Sequence, residues 1–152
     1  MNQLKVVDLP ADLLAVEAVA AIYFEDERPL QGPAALLDWR LNGMLTDLLL
    51  RQEVAGHAGE HVLVASNGKI AAQWVLFVGG GKHQGLGGEA FRGLLRHLFE
   101  TVREAGFRQV AVCLAPEGGM DVSDLNLLVI EACDAYLQKG LDCSLSVRPV
   151  GH

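Results

Sequence analysis

Apolar positions along the chain fall into two rhythms, short continuous runs and three-and-four spacings, and these predict alternating strands and helices. Gln3 to Asp8 reads as a short strand closed by Pro10, and Val19 to Tyr23 as a buried strand. From Pro33 to Arg51 the residues Leu37, Leu41, Met44, Leu45, Leu48 and Leu49 recur at helical spacing, with Gly43 a weak point inside. Gly56 to Glu60 reads as a turn leading into the strand His61 to Val64. Asn67-Gly68 signals a hairpin joining it to the apolar strand Ala71 to Val78. A glycine loop, Gly79 to Gly88, precedes a helix from Glu89 to Ala105 with one apolar face, ended by Gly106. Strand Gln109 to Leu114, loop Ala115 to Met120, a helix from Asp121 or Ser123 to Lys139, and strand Asp142 to Val147 complete the order.

Strands alternating with helices predict one α/β domain over residues 1–152: a mixed, mostly parallel sheet between helices, three layers deep, with one hairpin. No repeat, linker or low-complexity tract divides the chain. The final helix carries Leu125, Leu127, Leu128, Val129, Ile130, Ala132 and Cys133. Apolar residues on more than one side imply burial on several faces, so a homodimer contact through this helix is expected.

Composition narrows the partners. Hydrophobic residues make up 51% of the chain, enough for a sheet buried on both faces. Twelve Lys and Arg against 19 Asp and Glu give a net charge of −7, which disfavours nucleic acid. Three cysteines in apolar surroundings, Cys113, Cys133 and Cys143, suit a reducing compartment, not a disulfide framework. With no secretory signal and no membrane span legible, a cytoplasmic protein is expected.

Few residues suggest chemistry. Glycines Gly79, Gly80, Gly81, Gly85, Gly87 and Gly88, with Lys82 and His83, lie between a strand's carboxyl end and a helix start, where α/β proteins bind anions. The spacing fits neither a P-loop nor a dinucleotide fingerprint, and an ordinary flexible strand-to-helix connection is the plainer reading. Gly118 and Gly119 form a second such loop; the two border one crevice if their strands are neighbours. His57 and His61 stand four apart, but Gly56 and Gly59 argue against the helix that would turn both rings toward one metal. Lys82, Arg92, Arg96, Arg103 and Arg108 read as the solvated side of a helix, with Arg96 and Glu100 four apart. Glu25 to Arg28 reads as a solvated loop, and Cys113 as core.

Three segments in succession resemble the N-terminal domain of the leucyl (cytosol) aminopeptidase family. They are the helix Leu36-Leu37-Asp38 through Gly43 to Leu49, the turn Gly56-His57-Ala58-Gly59-Glu60, and the strand Val75 to Val78 ending Gly79-Gly80-Gly81-Lys82. The resemblance implies a macro-domain-like fold. In that family the two-metal peptidase site lies in a separate C-terminal domain marked by an Asn-Thr-Asp-Ala-Glu-Gly-Arg stretch, which this sequence lacks. The expectation is therefore a stand-alone, non-catalytic relative with no metal or cofactor, acting in assembly or as accessory to a separate peptidase subunit. The alternative is a binding module for a nucleotide or ADP-ribose-like phosphate ligand, held by the glycine loops.

Overall fold

Among the described residues six strands form one sheet in the order β1-β6-β5-β2-β4-β3. The strands are β1 (Lys5–Val6), β2 (Ala18–Tyr23), β3 (His61–Ala65), β4 (Trp74–Gly79), β5 (Gln109–Leu114) and β6 (Asp142–Val147). All pairs are parallel except β3 with β4, the hairpin. This computed structural model describes residues 2–116 and 120–148.

Among the described residues four α-helices cover the sheet, α1 (Gly32–Arg40), α2 (Met44–Leu50), α3 (Gly88–Ala105) and α4 (Val122–Gln138), beside one 3-10 turn at Ala11–Leu13. Side chains alternate along each strand, so every central strand feeds two cores. Ala20, Ile22, Leu76, Val78 and Val112 pack under α3 and α4. Val19, Ala21, Tyr23, Phe77 and Cys113 pack under α1 and α2. The three-layer architecture follows from this, because a strand with both faces covered must be apolar at every position.

The single helix expected over Pro33 to Arg51 is two helices. Asn42 and Gly43 have φ of 61° and 76°, left-handed values that interrupt any helix. The N–H of Gly43 closes onto the Asp38 carbonyl at 2.8 Å, ending α1. The Asp38 carboxylate then accepts from the Leu45 and Thr46 amides at 2.7 and 3.2 Å and from the Thr46 hydroxyl at 2.5 Å. A side chain of the first helix thus caps the second.

The hairpin turn sits at Asn67 and Gly68, both at positive φ. β4 begins three residues later than expected, at Trp74. Before it, the amides of Ala71 and Gln73 bond the carbonyls of Asp12 and Val16 instead of β3. On α3, Phe91, Leu94, Leu95, Leu98, Phe99 and Val102 are all buried as the pattern predicts. On the opposite side Glu100 pairs with Arg103 and Tyr136, not with Arg96. α4 opens with a capping box between Asp121 and Asp124. It buries Leu125, Leu128, Val129, Cys133 and Leu137, and leaves Val122, Leu127 and Ile130 exposed.

Candidate functional site

β2, β4 and β5 end on the same edge of the sheet, with β2 in the middle. The two glycine loops therefore leave strands that are not neighbours, with β2 between those strands. Gly118 and Gly119 of the second loop lie outside the described residues.

The first loop is tied closely to the rest of the protein. Gly79 N–H donates to the Glu60 carbonyl at 2.7 Å, Gly80 N–H to Tyr23 at 2.9 Å, and Gly81 N–H to Gly56 at 2.8 Å. The amides of His83 and Gln84 donate to the Asp26 carboxylate at 2.7 and 3.0 Å, and Leu86 N–H to the His83 carbonyl. These two amides hold the Asp26 carboxyl below the usual range. A phosphate loop needs N–H groups directed at a ligand, and six of this loop's are committed internally.

Sterics explain two of the glycines. A Cβ on Gly79 would lie 2.2 Å from the His57 carbonyl oxygen, and one on Gly80 would lie 2.5 Å from the Phe24 ring. By contrast, a Cβ on Gly85, Gly87 or Gly88 would meet nothing within 4 Å. Gly87 and Gly88 form the start of α3, and Lys82 points into solvent.

Glu60 is the fastener of the turn beneath this loop. Its Oε1 accepts from the Ala55 and Gly56 amides at 2.9 and 2.7 Å and from the Tyr23 hydroxyl at 2.5 Å. Burial works to raise the Glu60 carboxyl, but these donors outweigh it and hold it low. Burial and the Glu60 charge push the Tyr23 phenol up. His57 turns the other way and pairs with Glu25 at 2.8 Å, while the His61 ring lies 5.4 Å from that of His97. The two histidines thus diverge, and no group of three metal-ligating side chains gathers among the described residues.

The run Glu25 to Arg28 is a loop with Asp26 and Arg28 exposed, as expected, but its side chains are also tied into the structure. Arg28 donates to the carbonyls of Phe24, Glu27 and Ala55 at 2.6, 2.6 and 2.9 Å. Glu27 is half-buried in a hollow of about 260 Å³, lined also by Phe24, His83 and Leu114. Burial raises its carboxyl above the ordinary value. The His83 ring meets Phe24 edge-on at 4.9 Å, with Nδ1 3.9 Å from Glu27.

A second hollow of about 370 Å³ continues from the first across Gln31, Gly32, Pro33, Cys113 and Leu114, which line both. It runs under Leu36 and Trp39 to Ser146 and Arg148. Cys113 lies in the floor, where burial pushes its thiol up to about 12 and disfavours the thiolate. Together the hollows form a cleft along the carboxyl edge of the sheet, beneath the start of α1. Sequence reading missed Glu27, Gln31 and Arg148 as cleft residues. The usable signal was four charged residues directly after a buried strand, a place where solvation alone rarely decides the side-chain positions.

The family model described as cytosol aminopeptidase family, N-terminal domain, matches residues 19–134. The chain belongs to that family. A probable cytosol aminopeptidase of Sulfurihydrogenibium sp. (strain YO3AOP1) is 28% identical over 127 residues, covering 84% of this chain and 23% of the relative. The chain thus spans about a quarter of the length of such relatives. Among solved structures, the macrodomain of Mycobacterium tuberculosis DarG superposes with a TM-score of 0.75 at 18% identity, covering 98% of this chain and 99% of that one. A mutant of tomato leucine aminopeptidase gives 0.70 at 15% identity, over 97% of this chain and 32% of that one. A Trypanosoma brucei macrodomain in complex with ADP-ribose gives 0.70 at 17% identity, over 95% and 63%. These structural likenesses show the macro-domain-like fold. For this family member the three segments that carried the resemblance acquire a physical meaning. The turn with Glu60 and the Gly79–Gly81 stretch pack on one another, and the Asp38 to Gly43 segment makes the break between α1 and α2.

Proposed function

We propose that this cytosol-aminopeptidase-type domain is a non-catalytic assembly module, binding a second copy of itself and serving as accessory to a separate peptidase chain in the cytoplasm. The observation that carries the reading is the outer side of α4. Val122, Leu127 and Ile130 remain 49%, 66% and 42% exposed on a helix whose inner side is fully packed. Uncovered apolar residues clustered on one helix suit a protein contact better than solvent. The three free, buried cysteines suit a reducing compartment. The test is mass by light scattering at micromolar concentration, with a Leu127→Lys and Ile130→Lys double variant beside the parent. A dimer that the variant splits supports the reading; a monomeric parent removes the self-association. Co-purification of a separate peptidase chain, lost in the variant, tests the accessory role.

A second reading, binding of a nucleotide or ADP-ribose-like ligand, draws on the cleft's position at the carboxyl ends of parallel strands. The committed amides of the glycine loop and the carboxylate of Glu27 in the cleft weigh against it, so it stands second. Ligand at a hundred times Kd would stabilise the fold by about 2.7 kcal/mol. The absence of any thermal shift with ADP-ribose or ADP would retire it.

A further inference from the structure

The cleft carries charge of opposite sign toward its two ends. Glu27 and His83 line only the smaller hollow, and Arg148 lines only the larger. The shared residues Gln31, Gly32, Pro33, Cys113 and Leu114 lie between. The Glu27 carboxylate has 21% side-chain exposure and faces the imidazole of His83 at 3.9 Å, too far for a hydrogen bond. Other charged groups near it are Asp26, whose carboxylate is occupied by two backbone amides, and Arg28, whose guanidinium is spent on three carbonyls. A half-buried carboxylate whose nearest cationic partner among the described residues is an imidazole at 3.9 Å attracts an ammonium group and repels a phosphate.

At the far end, Arg148 donates through one nitrogen to Asp8 at 2.8 Å. Asp8 is 91% exposed, so this is a surface pair of little strength. Among the described residues the rest of the guanidinium fork has no other partner, which leaves it to a carboxylate. Between the ends, Leu30, Pro33, Leu36 and the indole of Trp39, 68% exposed, give the larger hollow an apolar wall.

We propose that this cleft binds a zwitterionic ligand, a short peptide with apolar side chains, its ammonium at Glu27 and its carboxylate at Arg148. The apolar side chain lies against Pro33, Leu36 and Trp39. The site is separate from the outer side of α4, so it stands whether or not that helix forms a contact.

The experiment is calorimetric titration of the intact chain with dileucine and trileucine, each beside its N-acetyl and C-amide derivative, with ADP-ribose in a parallel arm. At least one zwitterion is expected to bind in the millimolar range or tighter. Blocking either terminus is expected to weaken it about tenfold or more. Glu27→Gln is expected to erase the penalty of N-acetylation, and Arg148→Gln the penalty of amidation. Should a variant fail to fold, the blocked ligands still decide the matter on the parent chain. Equal binding of blocked and free forms overturns the proposal. So does binding of ADP-ribose alone, or of none of these ligands at millimolar concentration.

Discussion

The hydroxyl of Tyr23 donates to the Glu60 carboxylate at 2.5 Å, joining the end of the central strand to a turn 37 residues further along the chain. The same oxygen holds the Ala55 and Gly56 amides. Gly56 in turn accepts from Gly81, and Gly81 from Glu25. One carboxylate therefore sets the spacing of three backbone segments at the edge of the sheet where the cleft opens. The glycines there serve close backbone contact, with Gly79 and Gly80 leaving no room for a side chain.

Removing the Tyr23 hydroxyl deletes one bond to a charged acceptor. Tyr23→Phe is expected to cost about 1.5–3 kcal/mol in urea unfolding. Glu60→Ala leaves the phenol and two amides without their acceptor and is expected to cost more, about 2–4 kcal/mol. In a double-mutant cycle the two should be strongly coupled. Additive losses would mean that the hydroxyl and the carboxylate act independently.

Adding a methyl group at Gly80 tests the close approach. Its Cβ would meet Phe24 side-chain atoms at 2.5 and 2.7 Å and Ile22 Cγ2 at 2.8 Å. Overpacking of this kind is expected to cost about 1–3 kcal/mol in Gly80→Ala. Gly87→Ala, with nothing within 4 Å, is expected to fall within about 0.5 kcal/mol of the parent. A similar loss at both positions would argue that loop flexibility, not contact, is what the glycines supply.

Much of the fold was legible in the sequence because apolar runs bounded by glycine and proline have few other uses. β5 and β6 fall at their predicted bounds, and the apolar face of α3 is the buried one. The break after Arg40 was legible only as a weak point at Gly43. Leucine spacing continues across it, and only the local geometry of Asn42, Gly43 and the Asp38 cap divides the helix. The cleft was hidden for a different reason. Glu27 and Arg148 are 121 positions apart in sequence, and each reads alone as an exposed charge. Their placement depends on strand order, which puts β2 between β4 and β5, the strands that the two glycine loops follow.

The helix break yields its own prediction. Asp38 is 6% exposed and satisfies two amides and a hydroxyl of α2. Asp38→Ala leaves these donors at a partly buried helix start, so a loss of about 2–3 kcal/mol is expected. Asp38→Asn keeps one acceptor oxygen and should recover part of that. Gly43→Ala has space for its methyl group but must hold φ at 76°, for about 1 kcal/mol. If Asp38→Ala were neutral, the α1–α2 break would not depend on the cap.

Two histidines are expected to respond to pH with opposite sign. Burial lowers the pKa of His97, and the nearby His61 lowers it further; its Nε2 is buried without a hydrogen-bond partner. The folded state then binds fewer protons than the unfolded chain just below the ordinary value of 6.5. Stability from this group is present above that value and lost as pH falls through it toward the folded pKa. His57 is the reverse. Its hydrogen bond to Glu25 raises the pKa, so its contribution is full below 6.5 and lost as pH rises through the folded value. In thermal melts between mildly acidic and mildly alkaline buffer, His97→Leu should flatten the loss of stability on acidification and cost little near neutrality. His57→Ala should lose most at the acidic end. Parallel pH profiles for His97→Leu and the parent would show that the imidazole takes up its proton in the folded protein as readily as in the unfolded chain, and that its burial has no electrostatic consequence.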